Sequence, residues 1–103
     1  MDIIENVAKL LKYQGPDINE LIAEAYAENK KIIVDKIDAS TALKITFKTA
    51  YETIVTDVFI FNEQKELIKQ ELHINDKINV IFDKYKEASD MLINLTRDQL
   101  AAS

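Results

Sequence analysis

From Asp2 to about Tyr13 the apolar residues Ile3, Ile4, Val7, Leu10 and Leu11 recur at helical spacing, with Glu5, Asn6, Lys9 and Lys12 between them. This pattern predicts an amphipathic helix N-capped by Asp2. It stops at Gln14-Gly15-Pro16, the strongest chain break in the sequence, where Gly admits a left-handed cap and Pro cannot continue the helical ladder. Asp17 then opens a second helix, with Glu20 three residues on and Ile18, Leu21, Ile22, Ala25 and Tyr26 as its buried stripe. That stripe can be extended through Ile32, Ile33 and Ile37 to about Asp38. The β-branched run Ile32-Ile33-Val34 favours instead a helix over 17–29 followed by a strand over 31–37.

Strict alternation follows. Leu43, Ile45, Phe47, Thr49 and Tyr51 alternate with Lys44, Thr46, Lys48 and Ala50, which predicts a half-buried strand over 43–51 with one wet face. A second strand over 53–62 contains Val58-Phe59-Ile60-Phe61, apolar on both faces and therefore central or covered twice. Asn62-Glu63-Gln64-Lys65 has turn composition, and a strand over 66–74 returns as a hairpin with a four- or five-residue loop. Asn75-Asp76 reads as a helix start. Ile78, Ile81, Phe82, Tyr85, Ala88, Ser89, Leu92 and Leu95 then predict a long amphipathic helix over 76–95, packed across the sheet, with Lys77, Lys84 and Lys86 among its surface residues. The expected fold is a single α+β domain over 1–103: two short N-terminal helices, an antiparallel meander of three or four strands, and one long C-terminal helix.

Composition narrows the chemistry. The 103 residues contain no Cys, one His and one Gly. Disulfides, zinc knuckles, iron–sulfur clusters and thiol catalysis are thereby excluded, as are multi-histidine metal spacings and Gly-rich phosphate loops. No metal or cofactor is expected. With 13 Lys and Arg against 18 Asp and Glu the formal net charge is −5, and only one of the bases is Arg. A chain of this balance lacks the basic footprint that supplies most nucleic-acid affinity, and its acidity disfavours anionic membranes. No apolar run reaches the roughly 18 residues that cross a bilayer, and the N-terminus carries acid where a signal peptide carries base. A cytoplasmic location is the expectation, with no nucleic acid and no membrane among the partners.

Few residues stand out as chemistry. His73, on the polar side of its strand beside Lys69 and Glu71, has the pKa range of a general base, but an ordinary surface histidine is the plainer reading. Asp57 shares a side with Val55, Phe59 and Phe61, so its carboxylate lies close to the core. It requires hydrogen-bond partners, a place near a bulge or rim, or pairing with Lys44 or Lys48 across the ladder. The aromatic residues fall mostly at core positions. Tyr51, Asp57 and His73 would be the pocket residues of a small-molecule-binding or weakly catalytic cone of cystatin-like or NTF2-like architecture, an analogy of fold alone.

The most informative anomaly is the two-sided apolarity of Val58 to Phe61. If all the helices cover one sheet face, either Phe59 and Phe61 or Val58 and Ile60 remain on the other, an apolar patch that calls for a second copy or a protein partner. If the helices divide over both faces, everything is buried. The sequence therefore favours a small, acidic, non-enzymatic interaction domain of the inhibitor, immunity, adaptor or phage-accessory type. Its binding candidates are Val58, Phe59, Ile60 and Phe61, with Phe59 and Phe61 as anchors and the acidic groups Glu52, Glu63, Glu66 and Glu71 at the rim. A structural subunit of a larger assembly, or a homodimer, would bury the same patch. No catalytic residue is assigned.

Overall fold

The computed structural model describes residues 2–102, with side chains described over 2–97. It is α+β, with three helices and a five-stranded antiparallel sheet. In chain order the elements are α1 (Ile3–Lys12), α2 (Ile18–Ala27), β1 (Lys31–Ile37), β2 (Ser40–Lys48), β3 (Ile54–Phe61), β4 (Leu67–Ile74), β5 (Lys77–Asp83) and α3 (Lys84–Ala102). The strands pair in sequence order, β1-β2-β3-β4-β5, each antiparallel to the next.

The N-terminal helices form where their caps place them. The Asp2 carboxylate accepts from the N–H of Ile4 at 3.0 Å, and that of Asp17 accepts from Asn19 at 2.7 Å and Glu20 at 3.4 Å. Gly15 joins the two helices with φ +77°, and a Cβ there would lie 2.6 Å from the Cβ of Leu67, so both the backbone conformation and the close approach require glycine. Beside it the Gln14 carbonyl accepts from the N–H of Leu67 at 2.8 Å, stitching this connection to the start of β4. α2 ends in a Schellman motif: Asn29 adopts φ 58°, Asn29 N–H donates to Tyr26 and Lys30 N–H to Ala25. That stop separates α2 from the β-branched run, which forms β1 over 31–37.

Two hairpins use the same three-residue loop. In each, a polar side chain before the loop accepts from the backbone N–H just beyond it, Thr49 from Thr53 and Asn62 from Glu66, with Asn62 also accepting from Gln64 inside the loop, and the third loop residue is left-handed, Glu52 at φ 63° and Lys65 at φ 64°. The strand expected over 43–51 therefore ends at Lys48, and Tyr51 stands in the loop, almost fully exposed.

The largest departure is the helix expected over 76–95. Its first part is a fifth strand. Asn75 and Asp76 both take positive φ, 47° and 64°, the signature of a two-residue type I′ turn and not of an N-cap. They return the chain beside β4, where Ile78 pairs with His73 and Val80 with Glu71. Ile81 is the extra residue of a bulge between Val80 and Phe82, which lets an apolar set at helical spacing lie along a strand. α3 starts only at Lys84, where the Asp83 carboxylate accepts from Lys86 N–H at 3.1 Å, and it continues past Leu95 to Ala102. Instead of crossing the sheet, α3 lies chiefly along α1.

The core lies on one sheet face. Leu43, Ile45, Phe59, Phe61 and Leu67 pack beneath Ala25 of α2, flanked by Ile18, Leu21, Ile22, Ile32 and Phe82. Leu67 reaches this layer because Ile68 is bulged out between the pairs Ile60–Lys69 and Phe61–Leu67. At the end of the layer Tyr13 meets Phe82 edge to face, with centroids 5.6 Å apart.

Candidate interaction surface

The register divides the candidate residues between two faces. Phe59 and Phe61 belong to the covered face at 6% and 1% exposure, so the two proposed anchors are core residues beneath α2. Val58 and Ile60 belong to the other face, on which no helix among the described residues packs. There the central row reads Ile33, Lys44, Val58, Glu71, Val80 across all five strands, flanked by Asp35, Ala42, Ile60, Lys69 and by Thr46, Thr56, His73, Ile78. Val58 is buried by its neighbours, whereas Ile33, Ile37, Ile54, Ile78 and Val80 are exposed.

The polar groups at the centre of this open face pair with one another. Lys44 Nζ lies 3.3 Å from Asp35, the Thr46 and Thr56 hydroxyls share a hydrogen bond of 3.0 Å, and Glu71 receives Lys69 at 3.3 Å and His73 at 3.2 Å. The hydrogen bond from His73 and the Lys69 ammonium hold the Glu71 carboxyl below its ordinary 4.5, against an opposing contribution from desolvation. Glu71 thus sits in the middle of the face and is the acid that contacts His73. Glu52 stands in the β2–β3 loop, and Glu63 and Glu66 in the β3–β4 loop at the opposite end of the sheet, so these carboxylates do not ring the patch. Acid concentrates elsewhere: Asp17, Glu20, Glu24 and Glu28 are all exposed along α2.

The three pocket candidates are not brought together. Asp57 lies on the covered face and accepts from the Gln70 side chain at 3.0 Å, so its partner is neither Lys44, which pairs with Asp35, nor Lys48, which pairs with Glu52. His73 lies on the open face and Tyr51 in a loop. Asp57 does line a recess of about 120 Å³ under the C-terminal end of α2 with Glu24, Glu28 and Lys30, but the Lys30 ammonium is engaged by Glu28 at 2.8 Å and by the Phe47 ring at 4.5 Å. That volume is well below the roughly 300 Å³ at which small-molecule sites begin. Among the described residues no group of three or more His, Asp and Glu is placed to hold a metal ion.

A second surface emerges only in three dimensions. Lys84, expected on the outside of a helix, is 1% exposed, and its ammonium donates to the carbonyls of Leu11 at 3.3 Å and Tyr13 at 2.7 Å. The first residue of α3 thereby caps the last turn of α1, and the helices run antiparallel along each other with Val7 and Ala88 buried. Only part of each apolar stripe enters this contact. Ile4 and Leu11 of α1 and Tyr85, Leu92 and Ile93 of α3 remain between 42% and 60% exposed. At 100° per residue, Ile4-Ala8-Leu11 and Tyr85-Ser89-Leu92 each lie about a quarter turn from the buried seam. In an antiparallel pair both offsets fall on the same side, producing one continuous apolar surface.

No known family model, curated protein or solved structure matches this chain. The reading of its function therefore rests on geometry and chemistry. No helix of the described residues is long and apolar enough to cross a membrane.

Proposed function

We propose that the protein is a non-enzymatic interaction domain that works by presenting the uncovered sheet face to a protein partner. One observation carries this reading: among the described residues no helix packs on one face of the five-stranded sheet, and Ile33, Ile78 and Val80 are exposed there around the Val58–Ile60 centre. Apolar side chains at that density on an open face gain most from burial against a partner, at roughly 25 cal/mol per Å². The paired charges between them set register and specificity more than affinity. The face is close to charge-balanced: Lys31, Lys44, Lys48 and Lys69 stand against Asp35, Glu71 and Asp83. It therefore suits a partner patch that is itself apolar with a mixed-charge border. The acidic ridge of α2 supplies long-range attraction toward a basic partner. A cytoplasmic setting fits the lack of cysteine and is part of the same proposal.

The reading is tested by affinity capture from cell extract with wild type, with Ile33→Glu/Val80→Glu on the sheet face, and with Glu20→Gln/Glu24→Gln on α2. Each is checked for folding by circular dichroism. Proteins retained by wild type and by the α2 variant but lost by the sheet-face variant support it. Retention indifferent to the sheet-face charges rejects it.

A further inference from the structure

The bare side of the α1/α3 pair is a different surface from the sheet face, and the structure constrains what covers it. The chain exposes 7537 Å², whereas a compact monomer of 11.8 kDa exposes about 5,900 Å². The excess of roughly 1,600 Å² exceeds the ~800 Å² per partner that a standard stable interface removes. The Cα radius of gyration is 16.9 Å against about 13 Å for a compact chain of this length. These whole-chain figures leave room for a second interface beside the bare sheet face, and the exposed Ile4, Leu11, Tyr85, Leu92 and Ile93 place an apolar two-helix layer, open on one side, on α1 and α3; a second such layer closes it into a four-helix arrangement.

Charge identifies the occupant. The protein carries −5 overall, which opposes self-association, but the surface of the helix pair is balanced: over 2–12 and 84–97 the acids Asp2, Glu5, Glu87 and Asp90 are matched in number by the bases Lys9, Lys12, Lys86 and Arg97, with Lys84 buried against the α1 carbonyls. The excess acid lies mainly on α2. Along α1 the order is acidic in the first turn and basic in the last. Two copies of such a helix laid antiparallel about a twofold axis match Glu5 of each to Lys12 of the other, with Ile4 against Leu11 and Ala8 near the axis. A twofold interface must be self-complementary in this way. Lys86 and Asp90, which border the exposed stripe of α3, are already paired with each other at 2.9 Å and leave no charge to be stranded. On α3 a shallow depression of about 290 Å³ between Ser89, Leu92, Ile93, Thr96 and Arg97 offers a seat for an apolar side chain.

We propose that the occupant is a second copy of this chain, docked through α1 and α3 about a twofold axis near Ala8. The lack of cysteine makes the register directly testable, because one introduced thiol reports alone. Ala8→Cys under mild oxidation links two chains into one covalent species, whereas Tyr26→Cys on exposed α2 does not. In light scattering over a dilution series, wild type reaches twice 11.8 kDa. Leu92→Glu and Leu11→Glu each shift the association midpoint at least tenfold, with helical circular dichroism retained, and Val80→Glu on the sheet leaves it unchanged.

Three outcomes overturn the proposal. A wild-type monomer at every concentration does so. A dimer broken by Val80→Glu and indifferent to Leu92→Glu places the contact on the sheet instead. Co-sedimentation with phosphatidylcholine vesicles that Leu11→Glu abolishes, without dimerisation, assigns the stripe to a lipid surface. The sheet-face capture experiment reads the other surface, so either proposal can fail alone.

Discussion

At Lys84 the chain puts an ammonium where α1 runs out of partners for its carbonyls. A helix leaves its last carbonyls without intrahelical donors and carries partial negative charge at that end, so a buried cation donating to Leu11 and Tyr13 satisfies both. Lys84→Met keeps the stem volume and removes the donors. It is expected to lower stability by about 1–3 kcal/mol in chemical denaturation. Glu71 makes a pH-dependent contribution of known sign. Its carboxyl is held below 4.5 by His73 and Lys69, so the stability it adds is fully present above that value and is lost as pH falls through the lowered one. Glu71→Gln is expected to flatten the stability profile in the acid limb below about pH 4.5, and to cost at most about 1 kcal/mol near neutrality, since its partners are partly exposed. An acid limb with the wild-type slope in the variant would remove Glu71 from that role. Both roles depend on geometry: Glu71 and His73 are two apart on a strand, as sequence spacing shows, whereas nothing near Lys84 in sequence announces that it is buried.

At the scale of elements, the turns decided what the stripes became. Val7, Leu10 and their neighbours form a helix because Asp2 and Gly15-Pro16 bound it; β1 forms because Asn29 stops α2. In contrast, Ile78, Ile81, Phe82 and Tyr85 satisfy a helical period and also, given one bulge, a strand. Asn75-Asp76 arbitrates, because both residues tolerate the left-handed region and the pair closes a hairpin onto β4, whose edge is otherwise unpaired. Asp76→Gly creates the Asn-Gly pair that type I′ turns favour. It is expected to stabilise the fold by about 0.5–1 kcal/mol with the sheet signal in circular dichroism unchanged. If 76–83 were the first turns of a helix, the same glycine would destabilise by a similar amount. Gly15→Ala should act in the opposite direction, destabilising by about 2 kcal/mol, because a left-handed alanine would also meet Leu67 at 2.6 Å.

For the whole molecule, the sheet and the α1/α3 pair are unequally buried. Leu43, Phe59, Phe61 and Leu67 form the tightest part of the structure, while the helix pair has Val7 and Ala88 as its buried apolar members among the described residues. Native-state hydrogen exchange at low protein concentration is expected to find the slowest amides in β2 and β3 and exchange at least tenfold faster in α1 and α3. Protection of the helices that rises with protein concentration would report their burial by a second copy.

The sequence by itself determined the α+β class, the two N-terminal helices with their caps, and the fact that Val58 to Phe61 must put apolar side chains on both faces of a sheet; it favoured a strand over 31–37 but left a longer second helix open, until the left-handed Asn29 ended α2. These are local properties, set by period, capping and turn residues within a few positions of one another. Only the tertiary structure decided that Phe59 and Phe61 go beneath α2 while Val58 and Ile60 face outward, that Asp57 and His73 lie on opposite faces, and that Lys84 is buried at the end of α1. Which face a helix covers depends on contacts between residues far apart in the chain, here Ala25, Leu21 and Ile22 of α2 against Phe59, Phe61 and Leu67, and the burial of Lys84 depends on Leu11 and Tyr13 some 70 residues away; no local period encodes either choice.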